Sequence, residues 1–146
     1  MPKHYSLIAL LCLLLVLPGA CSKPTAPGNA ATTTGEARGE KSSDAGLFKV
    51  AYTSALDPIG INETHSWTLH VTTADGTPVN DAEIRINGGM PAHGHGLPTR
   101  PQVTQNLGNG DYRVEGFRFQ MGGLWEVRFD ITAGGQSDSV TFEFSL

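Results

Sequence analysis

Residues 125–131 read Trp125-Glu126-Val127-Arg128-Phe129-Asp130-Ile131. Every second side chain is large and apolar, and every intervening one is charged. A period of two places the four apolar groups on one face of an extended chain and the three charges on the other. A helix with this sequence would scatter its apolar groups around the axis. The stretch therefore predicts a β-strand with one buried face.

The same period runs outward in both directions. Phe48, Val50 and Tyr52 alternate with polar or small neighbours, as do Trp67, Leu69 and Val71, and then Ala82, Ile84 and Ile86. Tyr112 and Val114 are followed by Phe117 and Phe119, and Val140, Phe142, Phe144 and Leu146 end the sequence. A further strand is expected near Val103. The parity slips between Val114 and Phe117, across Gly116, which predicts a β-bulge there. Asp75-Gly76-Thr77-Pro78, Gly108-Asn109-Gly110-Asp111 and Ala133-Gly134-Gly135 supply turn chemistry between runs. No window of ten or more residues carries a helical period. The expected fold is all-β, an immunoglobulin-like β-sandwich of about seven antiparallel strands; a small closed barrel is the alternative. The cysteine pair of antibody domains is absent, so the architecture alone is expected. Trp67, Leu69, Val71, Ile84, Ile86, Tyr112, Val114, Trp125, Val127, Phe129, Val140 and Phe142 should form the core.

The 146 residues suffice for one ordinary domain. Residues 7–17 (LIALLCLLLVL) follow a start carrying Lys3, and this apolar run is shorter than the about 20 residues that a spanning helix needs. A charged start, a short apolar core and small residues predict a secretory signal peptide over residues 1–20. Leu17-Pro18-Gly19-Ala20-Cys21 resembles the lipobox of bacterial lipoproteins, although Pro18 stands where that pattern has leucine. The resemblance implies acylation of Cys21 and attachment to a membrane through a lipid anchor. The protein would then lie in the cell envelope, facing the periplasm. Ser22, rather than aspartate, after the cysteine favours the outer membrane by the sorting rule of enteric lipoproteins. Cys12 leaves with the signal, so the mature domain, at residues 47–146, has no thiol for a disulfide or a metal. Residues 22–46 contain no large apolar side chain and are expected to be a flexible tether. Ten Lys and Arg against 14 Asp and Glu, with no basic run, argue against nucleic-acid binding.

One stretch breaks the strand pattern. Residues 88–101 read GGMPAHGHGLPTRP, with two histidines separated by Gly94. Glycine permits dihedrals that let His93 and His95 converge on one point. Met90 precedes them by three residues, and Met121 lies in the Phe119-Gln120-Met121-Gly122-Gly123 hairpin. Imidazole accepts copper or zinc, and thioether sulfur prefers Cu(I), so Met90, His93, His95 and Met121 form a candidate copper site. The bland alternatives stay open: a solvated His-Gly-His loop, and two methionines filling irregular gaps at the end of a sandwich. His70 falls on the polar face of its strand, and His65 has the parity of the buried face. Catalysis finds no support, since no serine elbow, surviving thiol, paired carboxylates or phosphate-cradling loop is present.

Met90-Pro91-Ala92-His93-Gly94-His95-Gly96, then Gly110-Asp111-Tyr112, then residues 117–127 (FRFQMGGLWEV) resemble the YtkA-like domain family, which has relatives described as FixH-like. The resemblance spans about Trp67 to Ile131. It implies a β-sandwich and a link with copper handling or respiratory-oxidase assembly, and hence a copper-pathway or oxidase-assembly protein as partner. The family pattern often carries methionine where His93 stands here, which departs from a strictly Cu(I)-selective set. The alternative function is a non-metal interaction module that docks a partner of the cell envelope through the Gly/Pro-rich loop 88–101.

Overall fold

The computed structural model describes residues 37–146. The signal peptide, Cys21 and the first part of the tether lie outside the described residues. Nine antiparallel strands form two sheets: β1 (Arg38–Ser42), β2 (Phe48–Ser54), β3 (His65–Thr73), β4 (Glu83–Met90), β5 (His95–Gly96), β6 (Gln102–Gly108), β7 (Asp111–Phe117), β8 (Leu124–Ala133) and β9 (Gln136–Ser145). The first sheet has the order β1-β2-β3-β7-β6 and the second β5-β4-β8-β9. With the edge strands β1 and β5 set aside, four strands in the order β2-β3-β7-β6 face three in the order β4-β8-β9. This is the ABED/CFG arrangement of a constant-type immunoglobulin sandwich. Among the described residues, no helix is long and apolar enough to cross a membrane.

The period-two residues meet where the pattern requires. Val50 pairs with Val71 and Tyr52 with Leu69, and on the other side of β3 Trp67 pairs with Val114 and Leu69 with Tyr112. The Trp67 ring is stacked between Tyr52 and Phe117, at centroid distances of 4.2 Å on each side. Such pairs contribute about 0.5–1.5 kcal/mol each beyond burial itself. Opposite the step from Ser66 to His65, β7 runs from Glu115 to Phe117, which leaves Gly116 as the extra residue of a bulge. Its φ of +96° is open to glycine and strained for other residues. The bulge returns Phe117 to the inner face after the parity slip.

Eleven of the twelve expected core residues are buried; Ile86 is half-buried. It lies where the β4 and β6 edges leave the sandwich open, and Leu97 and Val103, also partly buried, cover it incompletely. The opposite side is closed. There the Asp44 N–H donates to the Ser139 carbonyl oxygen at 2.8 Å, and Lys41 Nζ to that of Thr141 at 2.9 Å. The Asp138 carboxylate also accepts the N–H groups of Ala45 at 3.1 Å and Leu47 at 3.2 Å.

β1 corrects the expected domain start, because Arg38–Ser42 lies inside the stretch assigned to a tether. Its side chains are polar, so hydropathy gives no signal; it is held by its backbone ladder to β2. Gly39 lets the ladder close over the Tyr52 ring, since a Cβ there would fall 2.8 Å from Tyr52 Cε1.

Candidate functional site

β4 runs through Gly88 and Gly89 to Met90. A single 3-10 turn, Pro91–His93, follows, and Gly94 in the left-handed region reverses the chain. β5 folds back so that Met90 pairs with His95 and Gly89 with Gly96. The expected open loop is thus a tight hairpin at its start. Gly89 makes it possible, because a Cβ there would lie 2.5 Å from the His95 carbonyl oxygen.

This turn brings the two histidines together. Both are exposed, with ring centroids 5.8 Å apart and planes 28° apart. His95 also meets Trp125 edge-on, at a centroid distance of 6.2 Å. Met90 faces inward and is 1% exposed, with its methyl against Gly123. Met121 stands at the surface, 36% exposed, and its carbonyl oxygen accepts the Trp125 indole N–H at 3.0 Å. Three of the four residues named from sequence therefore touch Trp125 or Gly123 at one end of the sandwich, His95 and Met121 the indole and Met90 the glycine, and His93 stands beside His95. His93, His95 and Met121 open to solvent, and Met90 packs beneath. Beside the turn, a hollow of about 360 Å³ reaches His95 between Asn87, Glu126, Arg128 and Thr141. Among the described residues, no three His, Cys, Asp or Glu side chains are placed to hold one ion.

Gln120 was not singled out from sequence, although it lies within the hairpin motif. Its Nε2 is 3.4 Å from His95 Nδ1, and its Oε1 is buried without a hydrogen-bond partner. The Gly96 carbonyl oxygen lies 3.5 Å from the same His95 nitrogen. Phe119, fully buried, anchors the hairpin against Trp125 at 5.1 Å and Phe144 at 5.2 Å. His70 pairs across strands with Asp111 at 2.6 Å on the outer face of the first sheet, among residues distinct from those of the turn. His65 is buried, as its parity predicted, and donates from Nδ1 to the Glu63 carbonyl oxygen at 3.0 Å.

The turn, the hairpin and Trp125 all fall within residues 40–130, which match the YtkA-like family. The chain belongs to the YtkA-like family. No curated protein matches it. Among solved structures, this YtkA-like chain is similar to a DUF4426 family protein from Pseudomonas aeruginosa PAO1, with 14% identity and a TM-score of 0.52, over 74% of this chain and 94% of that one. A likeness at that identity speaks for the shared sandwich fold alone. The C-terminal domain of ZirS also aligns, with 14% identity and a TM-score of 0.36, over 95% of this chain and 88% of that one.

Proposed function

We propose that this YtkA-like protein is a copper-binding accessory protein of the cell envelope, held to a membrane through acylated Cys21 and facing the periplasm. The observation that carries the reading is the pair of exposed imidazoles, 5.8 Å apart on either side of Gly94. His93 and His95 supply nitrogen, and Met121 and Met90 supply sulfur from the rim and from beneath it. A mixed nitrogen and sulfur set accepts both copper oxidation states, with sulfur favouring the reduced ion. The set is open to solvent on one side, which suits a protein that passes its ion on to a copper-pathway or oxidase-assembly partner. Metal binding requires neutral imidazoles, so affinity falls in acid. The test is a competition titration of the purified protein with Cu(II) and Cu(I) separately. The His93→Ala/His95→Ala variant should lose Cu(II); if it binds both ions as tightly as the parent, the copper reading fails. The anchor is tested by Cys21→Ala, which should be released from membranes or remain uncleaved.

A second reading has its own observation. Ile61, Met121 and Leu124 are three of the four exposed large apolar residues among those described, and Ile61 Cδ1 lies 3.8 Å from where a Gly122 Cβ would stand. Exposed apolar groups gathered on one rim mark interaction surfaces. In this reading the 88–101 turn and the hairpin dock a partner without metal. Unchanged partner binding in the double histidine variant would favour it.

A further inference from the structure

We propose that Gln120 is the positioning residue for His95: its side-chain oxygen accepts the Nδ1–H and leaves Nε2 as a free lone pair at the rim. The role deepens the copper reading above and rests on it for its purpose. Two groups approach His95 Nδ1, the Gly96 carbonyl oxygen at 3.5 Å and the Gln120 side-chain amide at 3.4 Å. A carbonyl oxygen only accepts, so the contact with Gly96 requires the proton on Nδ1. A protonated Nδ1 then requires an acceptor, not a second donor, from Gln120. The amide oxygen and nitrogen exchange places by a half-turn about the last side-chain bond, and their assignment follows from the hydrogen-bond network. Either orientation leaves one amide atom buried without a partner, Oε1 as it stands and Nε2 once turned, so the Gly96 carbonyl contact decides between them; turned, Oε1 meets the Nδ1–H. The backbone on either side is fixed, by Phe119 in the core and by the Trp125 hydrogen bond to the Met121 carbonyl. Gln120 therefore presents its amide to His95 from a held position. Metal-binding histidines characteristically donate their second ring N–H to an acceptor that sets tautomer and orientation, and losing that acceptor costs about 10–100-fold in metal affinity.

The experiment reads the His95 tautomer by ¹⁵N–¹H imidazole spectra of the metal-free protein at a pH where the ring is neutral, with signals assigned through His95→Ala. The parent and Gln120→Glu, which keeps an acceptor, should show Nδ1–H. Gln120→Leu should shift toward Nε2–H and lose about 10–100-fold in Cu(II) affinity. Gln120→Ala replaces the leucine variant if that one does not fold. An Nε2–H tautomer in the parent overturns the proposal. So does a Gln120→Leu protein with unchanged tautomer, or with changed tautomer and unchanged affinity. A parent that binds no copper yet shows Nδ1–H, lost in Gln120→Leu, sinks the copper reading and leaves the positioning of His95 by Gln120 upheld.

Discussion

Met90 and Gly123 touch across the end of the sandwich: a Cβ built on Gly123 would fall 2.7 Å from Met90 Cε, and Gly123 has φ +122°. Gly123→Ala therefore meets both a steric and a backbone obstacle. Overpacking of this kind costs about 1–3 kcal/mol. A urea denaturation curve followed by circular dichroism should show a lowered midpoint with an unchanged slope. Met90→Ala leaves a cavity of its own, so the comparison is a double-mutant cycle: on the Met90→Ala background the added cost of Gly123→Ala should lose its steric part and keep its backbone strain.

Trp125 is fully buried and donates its indole N–H to the Met121 carbonyl oxygen. Trp125→Ala should cost about 3–5 kcal/mol, a large fraction of the stability of an ordinary domain. Trp125→Phe keeps most of the packing and loses the hydrogen bond, at about 1 kcal/mol. Amide exchange should then accelerate in the hairpin at residues 120–123 more than in β3. Uniform acceleration across both would count against a local role.

Much of this was legible from the sequence, for physical reasons that differ by residue. Seven expected strands correspond to β2, β3, β4, β6, β7, β8 and β9, because burying one face of a strand imposes period two. Gly116 was legible because a bulge must shift that parity. β1 left no trace, since backbone ladder bonds carry no side-chain signature. The spacing to His93 marks Met90 as a candidate ligand. Its parity with Ile84 and Ile86 also points inward along β4, but Gly88 and Gly89 interrupt the pattern. Gln120 was silent, because its importance depends on β5 folding back to bring His95 beside it.

Burial pushes the His65 imidazole below its ordinary pKa, outweighing the hydrogen bond to the Glu63 carbonyl and the Glu63 charge, which both act to raise it. The unfolded chain then binds a proton more readily than the fold does. His65 thus favours the folded state above the unfolded value of about 6.5, and this contribution is lost as pH falls below it. The urea midpoint should drop between pH 7.5 and 5. His65→Phe, whose ring suits the neighbouring Trp67, Phe117 and Phe119, should reduce that drop. An equal drop in both proteins would refute this assignment.

The two methionines should separate in titrations. Met121→Leu removes a sulfur at the surface and should weaken Cu(I) binding while sparing Cu(II). Met90→Leu conserves volume in the core and should cost less than about 1.5 kcal/mol of stability. Its Cu(I) affinity measures whether the buried thioether reaches the ion. A Met121→Leu protein with parental Cu(I) affinity would remove that residue from the site.

The chain has two tryptophans. Trp67 is sealed between Tyr52 and Phe117 in the middle of the sandwich, while Trp125 underlies the His95 ring at its end. Their surroundings make them two separate optical gauges. Whatever settles on the rim, ion or protein, perturbs the emission of Trp125 first, and loss of the core changes that of Trp67. With Trp67→Phe and Trp125→Phe as single-indole versions, occupancy and unfolding can be followed in the same cuvette without any attached dye.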